Sequence, residues 1–207
     1  FIGSNLVDKL IEQNDEVIIL DNLKTGSRDN LSVKAKEYFI YKDVAISMQQ
    51  ELNTICQGAD GIFHMAASPN VQNSIENPIS TINANLISTV KMLEVARKHN
   101  IKFVYSGSCS CYGNAIDIPT NENEKIKPLS PYALNKYQGE EYCKLYSKIY
   151  NVDTICLRYF NVYGPKQDYR RTIPPVFSAF IIKLLQKKSP TIYGDGSKKR
   201  DFVYVDD

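Results

Sequence analysis

The chain predicts an α/β fold built on a doubly wound parallel sheet, because two hydrophobic periods alternate along it. Short β-rich runs, most with an apolar centre, fall at residues 16–21 (EVIILD), 38–44, 61–67 (GIFHMAA), 102–108 and 154–160 (TICLRYF). Amphipathic stretches of helix length lie between most of them, at 3–13, 46–57, 74–100 and 131–150. Strands separated in this way form βαβ units, which pair in parallel and take helices on both faces.

Each element has its own signal. The first helix, 3–13, follows Phe1-Ile2 abruptly, with no apolar strand before it. The strand at 16–21 ends in Asp21, and the strand at 102–108 ends in the hydroxyl of Ser108. The helix at 131–150 has the clearest start. Ser130 suits the capping of orphan amides, and Pro131 tolerates the first helical position. Tyr132 and Lys136 are thereby placed in the first turns of a long helix, near a strand end. No internal repeat or low-complexity linker interrupts the pattern.

Composition sets the class. With 207 residues, 43% hydrophobic content, 23% charged residues and a net charge of +2, the chain reads as one soluble domain able to bury a core. Its basic residues are spread along the chain, so neither a nucleic acid nor a membrane surface is expected as a partner. No apolar run reaches the roughly 18 residues of a membrane span, and no signal peptide precedes the first helix. The five cysteines are odd in number and lack a paired CxxC spacing, which fits reduced thiols in a cytoplasmic protein and no metal site.

Two features suggest a nucleotide and redox chemistry. Gly3 is placed to be the last glycine of a turn that aims a helix N-terminus at a pyrophosphate. Asp21 stands at the next strand end, about 20 residues after such a turn, where an acid accepts the ribose 2′-hydroxyl of NAD and repels a 2′-phosphate. The same Asp21-Asn22 pair serves equally as an ordinary turn. Tyr132 and Lys136, four residues apart, share one helical face. With the hydroxyl of Ser108 they make a proton-transfer trio suited to a sugar alcohol.

Taken together, these motifs resemble the extended short-chain dehydrogenase/reductase family, and within it the NAD-dependent nucleotide-sugar epimerases. The resemblance runs through Phe1-Ile2-Gly3-Ser4, Asp21-Asn22, Asp43-Val44, His64 to Ala67, Asn85, Ser108 to Gly113, Tyr132 to Lys136, Arg158 to Pro165 and Gly194 to Phe202. It implies a Rossmann-like NAD-binding domain over 1–165, with 166–207 beginning a small substrate-binding lobe. It also implies roles. Ile2 and Gly3 would meet the pyrophosphate, Asp21 and Asn22 the adenosine ribose, and Asp43 with the Val44 backbone the adenine. Ala66, Ala67 and Phe160 would line the cofactor. Asn85 would be a buried amide on the cofactor side or, equally, a structural bridge between helix and strand. Tyr132 would be the general acid/base, Lys136 its pKa-lowering partner and nicotinamide-ribose ligand, and Ser108 the proton relay. Ser108, Ser110, Tyr132, Asn161 and Arg200 would contact a UDP-sugar, Arg200 by a bidentate grip on its diphosphate. Thr172 and Ile173 would form a lip of that pocket.

The expected reaction is 4-epimerisation through a transient 4-keto sugar. Dehydratases and decarboxylases of the same family carry acids just after the serine, where this chain has Cys109 and Ser110, neither able to drive elimination at neutral pH. The segment also departs from the family at Gly107 and Cys111. Alternatives are a dehydratase or decarboxylase on the same fold, and a non-enzymatic nucleotide-binding protein. A homodimer through the helices at 74–100 and 131–150 is expected. The chain starts after the family's first strand and stops inside its substrate lobe, so the expectation is that this segment alone binds NAD weakly and turns over little.

Overall fold

The computed structural model describes every residue except Thr172, Ile173, Tyr193 and Lys198, so the expected pocket lip at 172–173 lies outside the described residues. The elements, in chain order, are α1 (Ile2–Glu12), β1 (Ile19–Asp21), β2 (Phe39–Tyr41), α2 (Gln49–Ile55), β3 (Gly61–His64), α3 (Val71–Glu76), α4 (Pro78–Ile82), α5 (Ser88–His99), β4 (Lys102–Ser108), α6 (Pro131–Tyr150), β5 (Thr154–Tyr159), β6 (Asn161–Tyr163), α7 (Val176–Leu185) and β7 (Phe202–Tyr204). They divide into two units. One holds Phe1–Val17, Gly26–Glu37 and Phe160–Asp207; the other holds Ile18–Thr25 and Tyr38–Tyr159.

The larger unit is the α/β layer. Every strand pairing in it is parallel, β1 with β2 and β3 with β4 with β5, and together with the helices this is a Rossmann-like arrangement. β4 is the longest strand and has neighbours on both sides, so its Phe103, Tyr105 and Ser106 are buried. Leu52, Leu93, Val95, Ala96, Ile101 and Cys143 close the core around it. α6 packs on β4 and β5, and α5 packs on α6 and α2. Because parallel strands point the same way, Ser108 and Tyr159 share one register step at the C-terminal ends of β4 and β5.

Five strands appear where the alternating pattern placed them, but β1, β2 and β3 are shorter than the apolar runs. After β2 the chain turns at once, because the Asp43 carboxylate accepts the Ala45 amide at 3.0 Å. The single helix expected over 74–100 is corrected to three pieces. Asn77 leaves helical geometry (φ −132°, ψ 63°) ahead of Pro78, which has no amide hydrogen and opens α4 instead. α4 then runs through a π-helical turn, Asn83–Ile87, into α5. α6 begins and ends where the sequence placed it, with Ser130 Oγ accepting the Ala133 amide at 3.1 Å.

In the smaller unit, β6 pairs in parallel with β7. Phe177 of α7 packs on that pair, stacking on Tyr163 with ring centroids 4.4 Å apart and meeting Phe202 edge-on at 4.7 Å. α1 is tied to the chain after β6 by Asn5, whose amide donates to the Pro165 carbonyl at 3.2 Å, and by Lys166, which bonds the Ser4 carbonyl and pairs with Asp8.

Candidate active site

Three side chains predicted to act together meet at the C-terminal end of β4. The Ser108 hydroxyl stands close enough to the Tyr132 phenol to hold its pKa down. Lys136, one turn farther along α6, buries its ammonium and donates to the Ser106 carbonyl at 2.8 Å. The Lys136 nitrogen also stands 5.3 Å from the centre of the Tyr105 ring, whose hydroxyl donates to the Lys136 carbonyl at 3.2 Å. β4 therefore fixes both ends of this lysine.

The electrostatics differ from the expectation in one respect. Burial raises the Tyr132 pKa, the Ser108 hydroxyl opposes that rise, and Cys109 adds to it; Lys136 is not among the groups acting on it. Burial also lowers the pKa of Lys136 itself to about 8. After Ser108 the chain forms a 3-10 turn, Cys109–Tyr112, in which the Ser108 hydroxyl accepts the Ser110 amide at 3.2 Å. The Ser110 hydroxyl oxygen is buried without a partner among the described residues. At Gly107, where the segment departs from the family, a Cβ would stand 2.8 Å from the Leu157 carbonyl oxygen.

A second group gathers after β1 and β2. The Asn22 amide donates to the Asp43 carboxylate at 2.9 Å, and the Asp21 carboxylate accepts the Leu23 amide at 2.6 Å. Asp43 and Asn22 wall a pocket of about 330 Å³ with Lys24, Ile79, Ser80 and Asn83. The last four were not foreseen, because Ile79, Ser80 and Asn83 come from α4 and the π turn, which the sequence read as one plain helix. The Val44 side chain is buried in the core, which leaves its backbone as the part that could face a ligand. Lys91, also unforeseen, crosses from α5 to donate to the carbonyls of Ala45 and Ser47 at 2.7 and 2.8 Å, holding the loop that Asp43 begins.

Asn85 acts as a bridge. It is 1% exposed, and its amide accepts the Ser68 N–H at 2.6 Å and donates to the Ser68 carbonyl at 3.2 Å. The loop after β3, with exposed Ala66 and half-buried Ala67, is pinned by this pair. Behind it Thr89 donates to the Asn85 carbonyl at 2.7 Å and so receives the Nε2 hydrogen of buried His64 at 3.0 Å.

The remaining predicted residues belong to the smaller unit. Ile2 and Gly3 form the first turn of α1, where amides lack intrahelical partners. Phe160 is half-buried, the Asn161 amide donates to the Asp201 carbonyl at 2.8 Å, and Arg200 is exposed with Nη1 on the Lys199 carbonyl. Among the described residues no group of three His, Cys, Asp or Glu side chains is placed to hold a metal ion, and no helix is long and apolar enough to cross a membrane.

A serine hydroxyl beside a tyrosine phenol, with a buried lysine one turn on, at the C-terminal edge of a parallel sheet, is an arrangement for moving a proton beside a nucleotide. The sequence profile of the NAD dependent epimerase/dehydratase family matches residues 1–207. The chain belongs to that family. It is 46% identical over 210 residues to a Methanocaldococcus jannaschii protein assigned provisionally as a UDP-glucose 4-epimerase, a match covering all of this chain and 67% of the relative. It superimposes on the UDP-N-acetylglucosamine 4-epimerase of Methanobrevibacter ruminantium with a TM-score of 0.93 and 38% identity, covering 99% of this chain and 66% of the other. The UDP-glucose 4-epimerase of Thermotoga maritima gives 0.92 and 35%, covering all of this chain and 67% of the other. The chain thus spans about two thirds of the length of these family members.

The residues present fit the family's cofactor, NAD. Lys136 is a buried ammonium with one hydrogen-bond acceptor among the described residues, leaving donors for ribose hydroxyls. Asp21 is an exposed carboxylate at the end of β1, with one oxygen on its own turn and the other open to a 2′-hydroxyl.

Proposed function

We propose that the protein interconverts C4 epimers of a UDP-sugar through a transient 4-keto sugar. The observation that carries this reading is the Ser108 hydroxyl beside the Tyr132 phenol, where it holds the phenol's pKa down against burial. Bound NAD supplies a hydride acceptor that can return the hydride to either face of the ketone. Tyr132 takes the proton of the sugar 4-hydroxyl and gives it back, while Ser108 orients that hydroxyl and relays its proton. The phenol must ionise near neutral pH against the burial that opposes it, and the nearby Ser108 hydroxyl favours the phenolate. Lys136 would hold the nicotinamide ribose.

The same reading assigns the adenine end to Asp21, Asn22, Asp43 and Val44, and the pyrophosphate to Ile2 and Gly3. It assigns the cofactor walls to Ala66, Ala67 and Phe160, with Asn85 pinning the loop that carries the two alanines, and the UDP-sugar to Ser110, Asn161 and Arg200. Residues 1–165 would act as the NAD-binding part and 166–207 as the start of the substrate lobe. Epimerisation is favoured over water loss because Cys109 and Ser110 follow Ser108, where an elimination would need carboxylates. The outward residues of α6, Leu134, Leu145 and Ile149, are exposed and apolar, which supports a homodimer built on this helix. Five free cysteines support a cytoplasmic setting.

The test is to incubate the full-length protein and NAD with UDP-galactose, UDP-N-acetylgalactosamine and UDP-galacturonate separately and follow the sugar protons by NMR. A C4 epimer without loss of water or carbon dioxide supports the reading and names the substrate. A dehydrated or decarboxylated product overturns it. Tyr132→Phe is expected to lose turnover by at least about a hundredfold while NAD still binds.

A further inference from the structure

The base proposed above sits in the least secure part of a helix. Tyr132 is the second residue of α6, and terminal turns fray first because their amides have no partner in the helix. Pro131 carries no amide hydrogen, and Ser130 caps Ala133, so neither holds Tyr132. Its amide hydrogen goes to another element, to Ser74 Oγ of α3 at 3.1 Å, 58 residues away in sequence. Ser74 is fully buried, and its own hydroxyl hydrogen is donated to the Val71 carbonyl at 2.6 Å. The hydroxyl is thereby oriented with a lone pair towards Tyr132. Lys136 needs no such help, because Ser106 and Tyr105 of β4 hold it at both ends.

We propose that Ser74 is a positioning residue for the acid/base Tyr132, fixing the backbone from which the phenol reaches Ser108. This rests on the role given to Tyr132 above. The phenol has one productive place, on the Ser108 hydroxyl, and its Cα is set by the helix turn that Ser74 closes. Without that acceptor the Tyr132 amide is buried and unpaired unless the turn opens, and either change moves the phenol away from Ser108.

Kinetics of Ser74→Ala and Ser130→Ala in the full-length, NAD-loaded protein test this, alongside hydrogen exchange of the unmodified protein. Ser74→Ala should lower kcat at least about tenfold, with KM for the UDP-sugar and the Kd for NAD changed less than about threefold, because the loss is of alignment and not of binding. Ser130→Ala frees the neighbouring Ala133 amide and should lower the melting temperature with kcat kept within about threefold. In the unmodified protein the Tyr132 amide should exchange as slowly as amides inside α6. Equal kcat losses in the two variants, an unchanged kcat in Ser74→Ala, or fast exchange at Tyr132 would overturn the proposal; the exchange measurement decides alone if Ser74→Ala does not fold. A wild-type protein that shows no epimerisation would instead remove the reading of Tyr132 itself.

Discussion

Gly139 of α6 rests directly on the Tyr105 phenol of β4, so that a Cβ on the glycine would stand 3.1 Å from ring atom Cε2 and overlap the hydroxyl. That hydroxyl is the group that bonds the Lys136 carbonyl, one turn back along the same helix. α6 lies this low on the sheet because one of its residues has no side chain.

Gly139→Ala should therefore destabilise the protein, although alanine normally improves a helix interior by up to about 1 kcal/mol. Tyr105 is fully buried and has no room to swing, so the helix must lift, at a cost of about 1–3 kcal/mol. Urea unfolding measures it, and a stabilised variant would show that the helix does not sit on the ring.

Arg158 of β5 should be equally sensitive. Its guanidinium forks onto Glu140 of α6 at 2.7 and 2.8 Å, and Nη1 reaches the Tyr112 hydroxyl at 2.8 Å and the Glu122 carbonyl at 3.0 Å. The pair is nearly enclosed, with side-chain exposures of 14% and 6%. Arg158→Met leaves the buried Glu140 with Lys144, at 2.7 Å, as its remaining partner and strands the Tyr112 hydroxyl, and should cost about 1–3 kcal/mol, whereas replacing both Arg158 and Glu140 by apolar residues should recover much of the loss. A double-mutant cycle in urea reads the difference, and additive losses would deny the coupling.

His64 should make the fold acid-sensitive. Burial first, and the Lys136 charge second, hold its pKa at about 3, below the ordinary value of 6.5. The unfolded chain takes up a proton that the folded chain refuses, so this stability is complete above about pH 6.5 and drains away as the pH falls towards 3. Comparing urea midpoints at pH 7 and pH 4.5 for wild type and His64→Gln checks this, since the variant should lose less on acidification.

Lys136 acts in the alkaline range with the same sign. Its folded pKa of about 8 lies below the ordinary 10.5, so between those values the unfolded chain binds the extra proton and stability rises with pH. Lys136→Met should remove that rise between pH 8 and 10.5; an unchanged slope would mean that the ammonium is not buried in solution.

What the sequence revealed and what it concealed follow from range. The strand and helix periods are local, and so is the Ser130-Pro131 start of α6, which appears where the residues place it. The break at Asn77–Pro78 was also written locally, but the longer amphipathic pattern of 74–100 outweighed it. The Ser74 cap, the Arg158 fork and the Lys136 bond to Ser106 join residues 18 to 58 positions apart, and nothing in either partner's neighbourhood announces them. β6 and β7 are three residues each, too short to carry a period, and they meet across about 40 residues. Asn85 was visible as a buried amide, but its partner, the Ser68 backbone, was not.

The π turn at Asn83–Ile87 holds one more residue than an α-helical turn would use. It is in effect a tolerated insertion, and excising a single residue from it would restore an unbroken helix from α4 into α5. Such a deletion would swing everything on one side of it by about 100° relative to the other. Either Asn85 would leave the Ser68 backbone or the buried face of α5 would turn away from its core, so a gap of one position in this segment carries more weight than a substitution at most of its residues.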